Sequence, residues 1–302
     1  MPRFAIVLIA VGATLLVLLL VAGALLLATG AESDEIRSEV VAPEQPAETL
    51  ELPLARNPES LMLAQRAGRI LVGIAAAPGG AVEVAVVEGD EPVARERLEF
   101  VADGQIVEPT GCGRACWHLD VDGPRALAVN VPAQIRFDLP ASTRSGDALW
   151  RRANRTMNAL RTYRYVESLT SGVGPVLTST FEAQSPNRLR FRTGDGFRSV
   201  IVGRTRWDNR DGRWQRSSFP GLRVPDYMWA GARNPKLLGS ATRDGLPVDV
   251  ISVFDRQPIP AWFRLYVDAD GRVRESEMLA PVHFMRQRFS AFNAPLVIEP
   301  PQ

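Results

Sequence analysis

Few residues of this 302-residue chain have the type and spacing that chemistry requires. Cys112 and Cys116 stand in Thr110-Gly-Cys-Gly-Arg-Ala-Cys-Trp-His118. In an oxidising compartment a pair this close reads first as a disulfide that pins a local loop, with Gly113-Arg-Ala115 turning the chain back. Adding His118 makes a thiolate-rich soft-metal site, since Cys selects Cu(I) or zinc, but three ligands so close together leave the fourth unassigned. A redox-active pair is the third reading. His283 and Met285 form a second set. Side chains alternate along a strand, so these two point the same way, with Met278 as a further soft donor and copper as the metal they suit. A His and a Met lining a core are the commoner outcome.

Nucleophilic and hydrolytic constellations do not emerge. The two histidines, His118 and His283, are 165 positions apart. There is no Gly-x-Ser-x-Gly elbow, phosphate loop or His-rich metal motif. The carboxylate pairs Glu275/Glu277 and Asp268/Asp270 fall in or beside a hairpin, where they are expected to be solvated. The chain reads as a non-enzyme without a cofactor.

What remains is aromatic. Phe181, Phe191, Trp207, Trp229, Trp262 and Phe284 lie on expected strands or adjacent loops, as do Trp214 and Phe289. On the concave side of a curled sheet such side chains line an apolar cavity of ligand size, and the first six are the candidate ligand-binding residues. An ordinary core between helix and sheet would use the same residues. The stretch Phe219–Met228, rich in Pro and Gly, reads as a lip over such an opening or as a plain connection.

The elements that must position these residues are mostly strands. Between Leu61 and Leu139 short apolar runs such as Ile70-Leu-Val-Gly-Ile74 and Val82–Val87 alternate with Gly and Asp-Gly turns, the pattern of a small immunoglobulin-like β-sandwich. From Ser145 to Leu160 the period changes: Leu149, Trp150, Ala153, Met157 and Leu160 recur at helical spacing, with Ser145 or Asp147 to cap the start. Strands then resume to about Phe289. Asp195-Gly196, Asp211-Gly212, Asp244-Gly245 and Asp270-Gly271 are strong hairpin signals. In Arg188-Leu-Arg-Phe-Arg192 apolar and basic residues alternate, giving one apolar and one wet face. One helix and a long antiparallel meander imply a single sheet curled around something.

The amino terminus sets the compartment. Arg3 precedes an uncharged apolar run, Phe4–Ala28, long enough to span a bilayer, and acidic residues follow it. The positive-inside bias then places residues 30–302 outside the cytoplasm. A retained single-pass anchor is the first reading and a cleaved secretory signal, with Thr29-Gly30-Ala31 as its site, the second. Residues 29–57, acidic and containing Pro43, Pro46 and Pro53, read as a linker. The net charge of +1 hides an asymmetry: residues 31–143 carry 9 Arg against 19 acidic residues, and residues 144–302 carry 24 Arg and Lys236 against 15. Two modules are implied. The basic one suits anionic lipid headgroups or simply bears solvated Arg, while scattered spacing and compartment argue against nucleic acid.

One order of motifs is familiar. The amphipathic helix is followed by Leu160-Arg-Thr-Tyr-Arg-Tyr-Val-Glu167, then Phe181-Glu-Ala-Gln-Ser-Pro-Asn-Arg-Leu-Arg-Phe191. Val200-Ile-Val-Gly203, Arg206-Trp-Asp208 and Gly212-Arg-Trp214 come next. This order resembles the LolA-like envelope proteins: lipoprotein carriers, mycobacterial lipid-binding lipoproteins and envelope-stress sensors. The resemblance covers about 145–293. It implies an antiparallel half-barrel packed on one α-helix, with a concavity for a lipid or acyl chain. Trp229–Leu238 and Ala280–Phe289 also look like extracytoplasmic modules of actinobacterial copper-resistance membrane proteins, although the multi-span part of those proteins is missing. The expected architecture is therefore an anchor (1–28), a linker (29–57), a β-sandwich (58–140) and a LolA-like half-barrel (145–302). The expected function is a membrane-tethered extracytoplasmic binding protein for a lipid or acylated ligand, with an envelope protein as possible partner. A copper-handling accessory protein and a ligand-free scaffold are the alternatives.

Overall fold

The computed structural model describes residues 57–302 except 79, 141, 257 and 258; the anchor and nearly all of the linker lie outside the described residues. Among the described residues no helix is long and apolar enough to cross a membrane.

The first ten strands make two facing sheets. One contains β1 (Leu61–Ala67), β2 (Ile70–Ala76), β3 (Val82–Glu88), β4 (Glu91–Pro92), β7 (Thr110–Gly113) and β8 (Cys116–Leu119), in the order β1-β2-β3-β8-β7 with β4 beside β3. The other has β5 (Glu99–Ala102), β6 (Gln105–Val107), β9 (Ala126–Val131) and β10 (Ala133–Asp138), in the order β10-β9-β5-β6. Alternation decides which side chains meet: Leu127, Val129 and Val131 of β9 and Ile135 and Phe137 of β10 turn inward onto Ile70, Val72, Ile74, Val82, Val84 and Val86. This is a sandwich, but its order is not of immunoglobulin type. There the third strand crosses to the second sheet, whereas here short connections fold β1, β2 and β3 back beside one another.

After β11 (Arg144–Ser145) comes the one long helix among the described residues, α1 (Asp147–Asn158). Its Trp150, Ala153 and Met157 are buried, three and four positions apart as an amphipathic face requires. The N-cap is Gly146, with no side-chain cap bond, rather than Ser145 or Asp147; the Ser145 hydroxyl, one position before it, accepts a bond from the Asp147 amide at 3.1 Å. The remaining strands are β12 (Thr162–Thr170), β13 (Leu177–Gln184), β14 (Arg188–Thr193), β15 (Arg198–Val202), β16 (Thr205–Asn209) and β17 (Trp214–Ser218), then β18 (Arg233–Arg243), β19 (Leu246–Asp255), β20 (Ala261–Asp268), β21 (Val273–Ala280) and β22 (His283–Ser290). With β11 they form one twelve-stranded antiparallel sheet, β11-β18-β19-β20-β21-β22-β12-β13-β14-β15-β16-β17. It is a meander in two halves, joined where β22 returns to pair with β12. At Asp244-Gly245 both residues have positive φ, 49° and 77°, the condition for a tight type I′ hairpin.

The helix and the segment 219–232 pack on one face of this sheet, the inner face. Trp150, Met157, Val224, Tyr227 and Trp229 share a core there with Ile251, Phe263, Leu265, Met278, Met285 and Phe289. The outer face of β19–β22 receives the sandwich. Phe254, Trp262 and Phe284 pack against Met62, Ala64, Leu71, Ala75, Ala85 and Val87. That second covering explains why β2 is buried almost throughout although it belongs to an antiparallel sheet. Contact is close: a Cβ on Gly73 would lie 2.1 Å from Trp262 Cζ2. At the same junction Lys236, 4% exposed, reaches Glu59 Oε2 at 3.1 Å.

Two of the carboxylates expected to be solvated are not. Glu275, 2% exposed, accepts from Arg243, Arg286 and Arg288. Asp268 accepts from Arg274 Nε at 2.7 Å and from the Arg272 amide at 2.8 Å. A buried carboxylate needs such partners, and the cross-strand register supplies them in residues far apart in sequence.

Candidate ligand site on the inner face of the half-barrel

Strand register lines up a row of rings. Phe289 of β22, Tyr165 of β12, Phe181 of β13 and Phe191 of β14 are successive cross-strand partners, so all four side chains stand on one face. Ring centroids are 5.4 Å apart for Tyr165 and Phe289 and 4.4 Å for Tyr165 and Phe181, which lie within 3° of parallel. Phe181 and Phe191 follow at 5.2 Å, and Phe191 and Phe197 at 5.9 Å. At the other end Trp229 meets Phe289 edge-on at 5.4 Å, and Tyr227 stacks on Trp229 at 4.7 Å.

The two ends of the row differ in cover. Tyr163, Tyr227, Trp229 and Phe289 are buried beneath the helix and the segment 219–232, and the Tyr227 hydroxyl donates to the Met157 carbonyl at 3.1 Å. Tyr165, Phe181, Phe191 and Phe197 are only half-buried. An apolar floor therefore runs out from under the helix. The segment expected as a lip or a plain connection is largely a wedge: Val224 and Tyr227 are core residues, and Met228 alone of its large apolar residues is exposed.

A polar row lies beside the aromatic one. Ser276, Gln287, Glu167, Ser179 and Thr193 are cross-strand partners in turn. The Ser276 hydroxyl donates to Gln287 Oε1 at 3.2 Å, and Gln287 Nε2 donates to Glu167 Oε2 at 2.8 Å. Burial pushes the Glu167 carboxyl above the usual carboxylate range, and the bond from Gln287 opposes that shift. Burial likewise raises Tyr163, Tyr165 and Tyr227, so their hydroxyls stay neutral. The inner face thus carries a row of rings and, two residues along each strand, a largely buried row of hydroxyl, amide and carboxyl groups in which Glu167 is the half-buried member.

The six aromatic candidates divide evenly. Phe181 and Phe191 stand in the half-open row, and Trp229 is buried at its closed end. Trp207 lies on the outer face, opposite Val200 and Arg216. Trp262 and Phe284 also face outward and are covered by the sandwich. Aromatic type is the same on both faces, and only register separates them. Tyr163, Tyr165 and Glu167 were within reach of the sequence, since they alternate on one strand, whereas Tyr227 and Gln287 carry no local signal.

His283 and Met285 share the inner face as their spacing requires, with Met285 opposite Met278; the His283 Nδ1 lies 3.2 Å from the Pro281 carbonyl. Cys112 and Cys116 are joined, sulfur to sulfur, at 1.99 Å, which removes them as thiolate ligands. Among the described residues they and Glu83 are the only grouped metal-type donors. His118 stands nearby, its Nδ1 4.0 Å from Glu83.

No protein-family model matches the sequence, and no curated protein does. Solved structures match in part. The Mycobacterium tuberculosis lipoprotein LppX is 12% identical, with 51% of this chain and 100% of that chain covered at a TM-score of 0.43. LprF from Mycobacterium bovis is 12% identical, with 53% and 99% covered at 0.40. A LolA-superfamily protein from Nitrosomonas europaea is 10% identical, with 51% and 95% covered at 0.25. These neighbours include the LolA-like family that the motif order suggested, while the likeness to copper-resistance modules is not confirmed. At such scores and identities they say nothing of what this chain binds.

Proposed function

We propose that this chain is a non-catalytic binding protein that holds an acyl chain or other apolar lipid portion along Tyr165, Phe181, Phe191 and Phe197. The observation that carries the reading is this unbroken row of rings, Tyr165, Phe181 and Phe191 in register across adjacent strands and Phe197 in the turn before β15, half-uncovered beside an otherwise filled core. A monomeric fold gains by covering such rings, at about 25 cal/mol per Å² of apolar surface before ordering costs. Glu167, the half-buried member of the polar row, is the group beside the rings that an amphiphile's headgroup would meet. Phe4–Ala28, outside the described residues, would hold the module at one membrane on its extracytoplasmic side. That arrangement favours local loading or sensing over long-range delivery.

The test is uptake of a fluorescent fatty-acid probe by the purified chain, with mass spectrometry of co-purifying lipid. Phe181→Asp and Phe191→Asp should each lower probe affinity at least tenfold with the fold retained, while Trp207→Asp on the outer face should not. Equal affinity in all three folded variants would refute the reading.

A further inference from the structure

On the outer face of β13–β17, behind the aromatic row, register produces two rows of different chemistry. One is Thr180, Arg192, Arg198, Asn209, Trp214, and the other is Glu182, Arg190, Val200, Trp207, Arg216. Arg190 is neutralised by Glu182, which Arg164 also holds. Arg192 and Arg198 stand directly opposite each other, an arrangement that repels, and among the described residues neither has an ion-pair partner. From Arg188 to Arg223 the sequence has 10 Arg and only 3 acidic residues, Asp195, Asp208 and Asp211. Asp208 is taken by Arg206.

The arginines open into a cleft of about 950 Å³ whose far wall is the C-terminal segment, with Val297, Glu299, Pro300 and Pro301. That wall is fixed. Arg188 donates to the Ile298 carbonyl at 2.6 Å, the Ile298 amide donates to Gln184 Oε1 at 2.9 Å, and Ile298 is fully buried. Its neighbour Val297 is left 65% exposed. The cleft therefore joins two guanidinium groups that make no ion pair among the described residues to Trp214, Val200 and an exposed valine, with the Glu299 carboxylate on its far wall. Guanidinium forks match phosphate oxygens, and aromatic and aliphatic groups beside cations are the composition of a membrane–water interface.

We propose that this cleft binds the phosphate of an anionic lipid headgroup, so that the outer face of β14–β17 docks on an anionic membrane surface. Arg192, Arg198 and Trp214 stand on the face of the sheet opposite the aromatic side chains, and Phe191 and Ser199 also line the cleft. A free phosphate offers the same oxygens, but it leaves Trp214 and Val297 without a role.

Because the apolar amino terminus would itself bind bilayers, the test uses the full chain in vesicles and reads hydrogen exchange of the β14–β17 amides. In phosphatidylglycerol vesicles these amides should exchange at least fivefold more slowly than in phosphatidylcholine vesicles, and 0.5 M salt should erase the difference. Arg192→Glu/Arg198→Glu should erase it as well, since each arginine near an anionic surface is worth about a fivefold change in association. Arg192→Lys/Arg198→Lys should keep most of it. Exchange in β19 and β20 reports folding, and if the glutamate pair fails there, Arg192→Gln/Arg198→Gln decides. Equal protection in both vesicles, or protection indifferent to these substitutions, overturns the proposal. Protection by inorganic phosphate alone in phosphatidylcholine vesicles overturns the lipid source.

Discussion

Gly73→Ala is the smallest change that tests how sandwich and half-barrel are joined. The added Cβ would lie 2.1 Å from Trp262 Cζ2, 2.4 Å from Cη2 and 2.7 Å from Cε2. Carbon atoms rest at about 3.5–4.0 Å, so a rigid indole must retreat by about 1.4 Å or the strands must part. Trp262 is 3% exposed, its ring 5.1 Å from that of Phe254, and Met62, Ala64, Leu71 and Ala75 belong to the same cluster. Overpacking in such a setting costs about 1–3 kcal/mol, and Trp262→Ala costs about 3–5 kcal/mol through the cavity it leaves. In the Trp262→Ala background Gly73→Ala becomes neutral or favourable, because the obstacle is gone and Ala is better than Gly in a strand by about 0.5–1 kcal/mol. The double mutant is therefore less destabilised than the sum of the singles, by about 2 kcal/mol. Guanidinium unfolding followed by far-ultraviolet circular dichroism measures all four corners. A neutral Gly73→Ala in the wild-type background, or strictly additive costs, would refute the close approach.

Glu167 makes stability depend on pH. Its carboxyl is raised by burial in the folded chain, so the folded state binds the proton more tightly. Stability should be greatest below the ordinary carboxylate pKa and fall as pH rises through the window up to the folded value; Glu167→Gln should flatten that slope in denaturation curves between pH 4 and 8. Glu275→Gln leaves three arginines facing a neutral amide and should cost about 2 kcal/mol by the loss of charge-assisted bonds, whereas Glu277→Gln, on a more exposed side chain, should cost under about 0.5 kcal/mol. A loss no larger than that for Glu275→Gln would count against the buried network. Cys112 and Cys116, four positions apart, close a very short loop. Their replacement by serine should lower stability by about 2 kcal/mol and leave ligand uptake unchanged; a change in probe affinity would show that the loop serves the site.

Much of the local structure was legible. Alternation in Arg188-Leu-Arg-Phe-Arg192 marked a strand with an apolar and a basic face, and the register keeps both. The helix was visible from Trp150, Ala153 and Met157, and Asp244-Gly245 marked its hairpin. The candidate site was half legible: Phe181 and Phe191 belong to the row, but Trp262 and Phe284, equal to them in type and equally on strands, do not. Nor did Glu275 differ from Glu277 in its local sequence, although one is buried among arginines and the other is not.

What the chain determines by itself is therefore period: which residues form strands, which form the helix, and which alternate positions share a face. Period is local, set by backbone geometry over a few residues. Which face turns inward, and what covers the other, depends on partners distant in sequence. The sandwich covers the outer face of β19–β22, the segment 219–232 fills part of the inner one, and the C-terminal segment walls a cleft behind β14. Only the assembled sheet places Phe289, Tyr165, Phe181 and Phe191 in one row, because cross-strand neighbours are fixed by register and not by proximity in the chain.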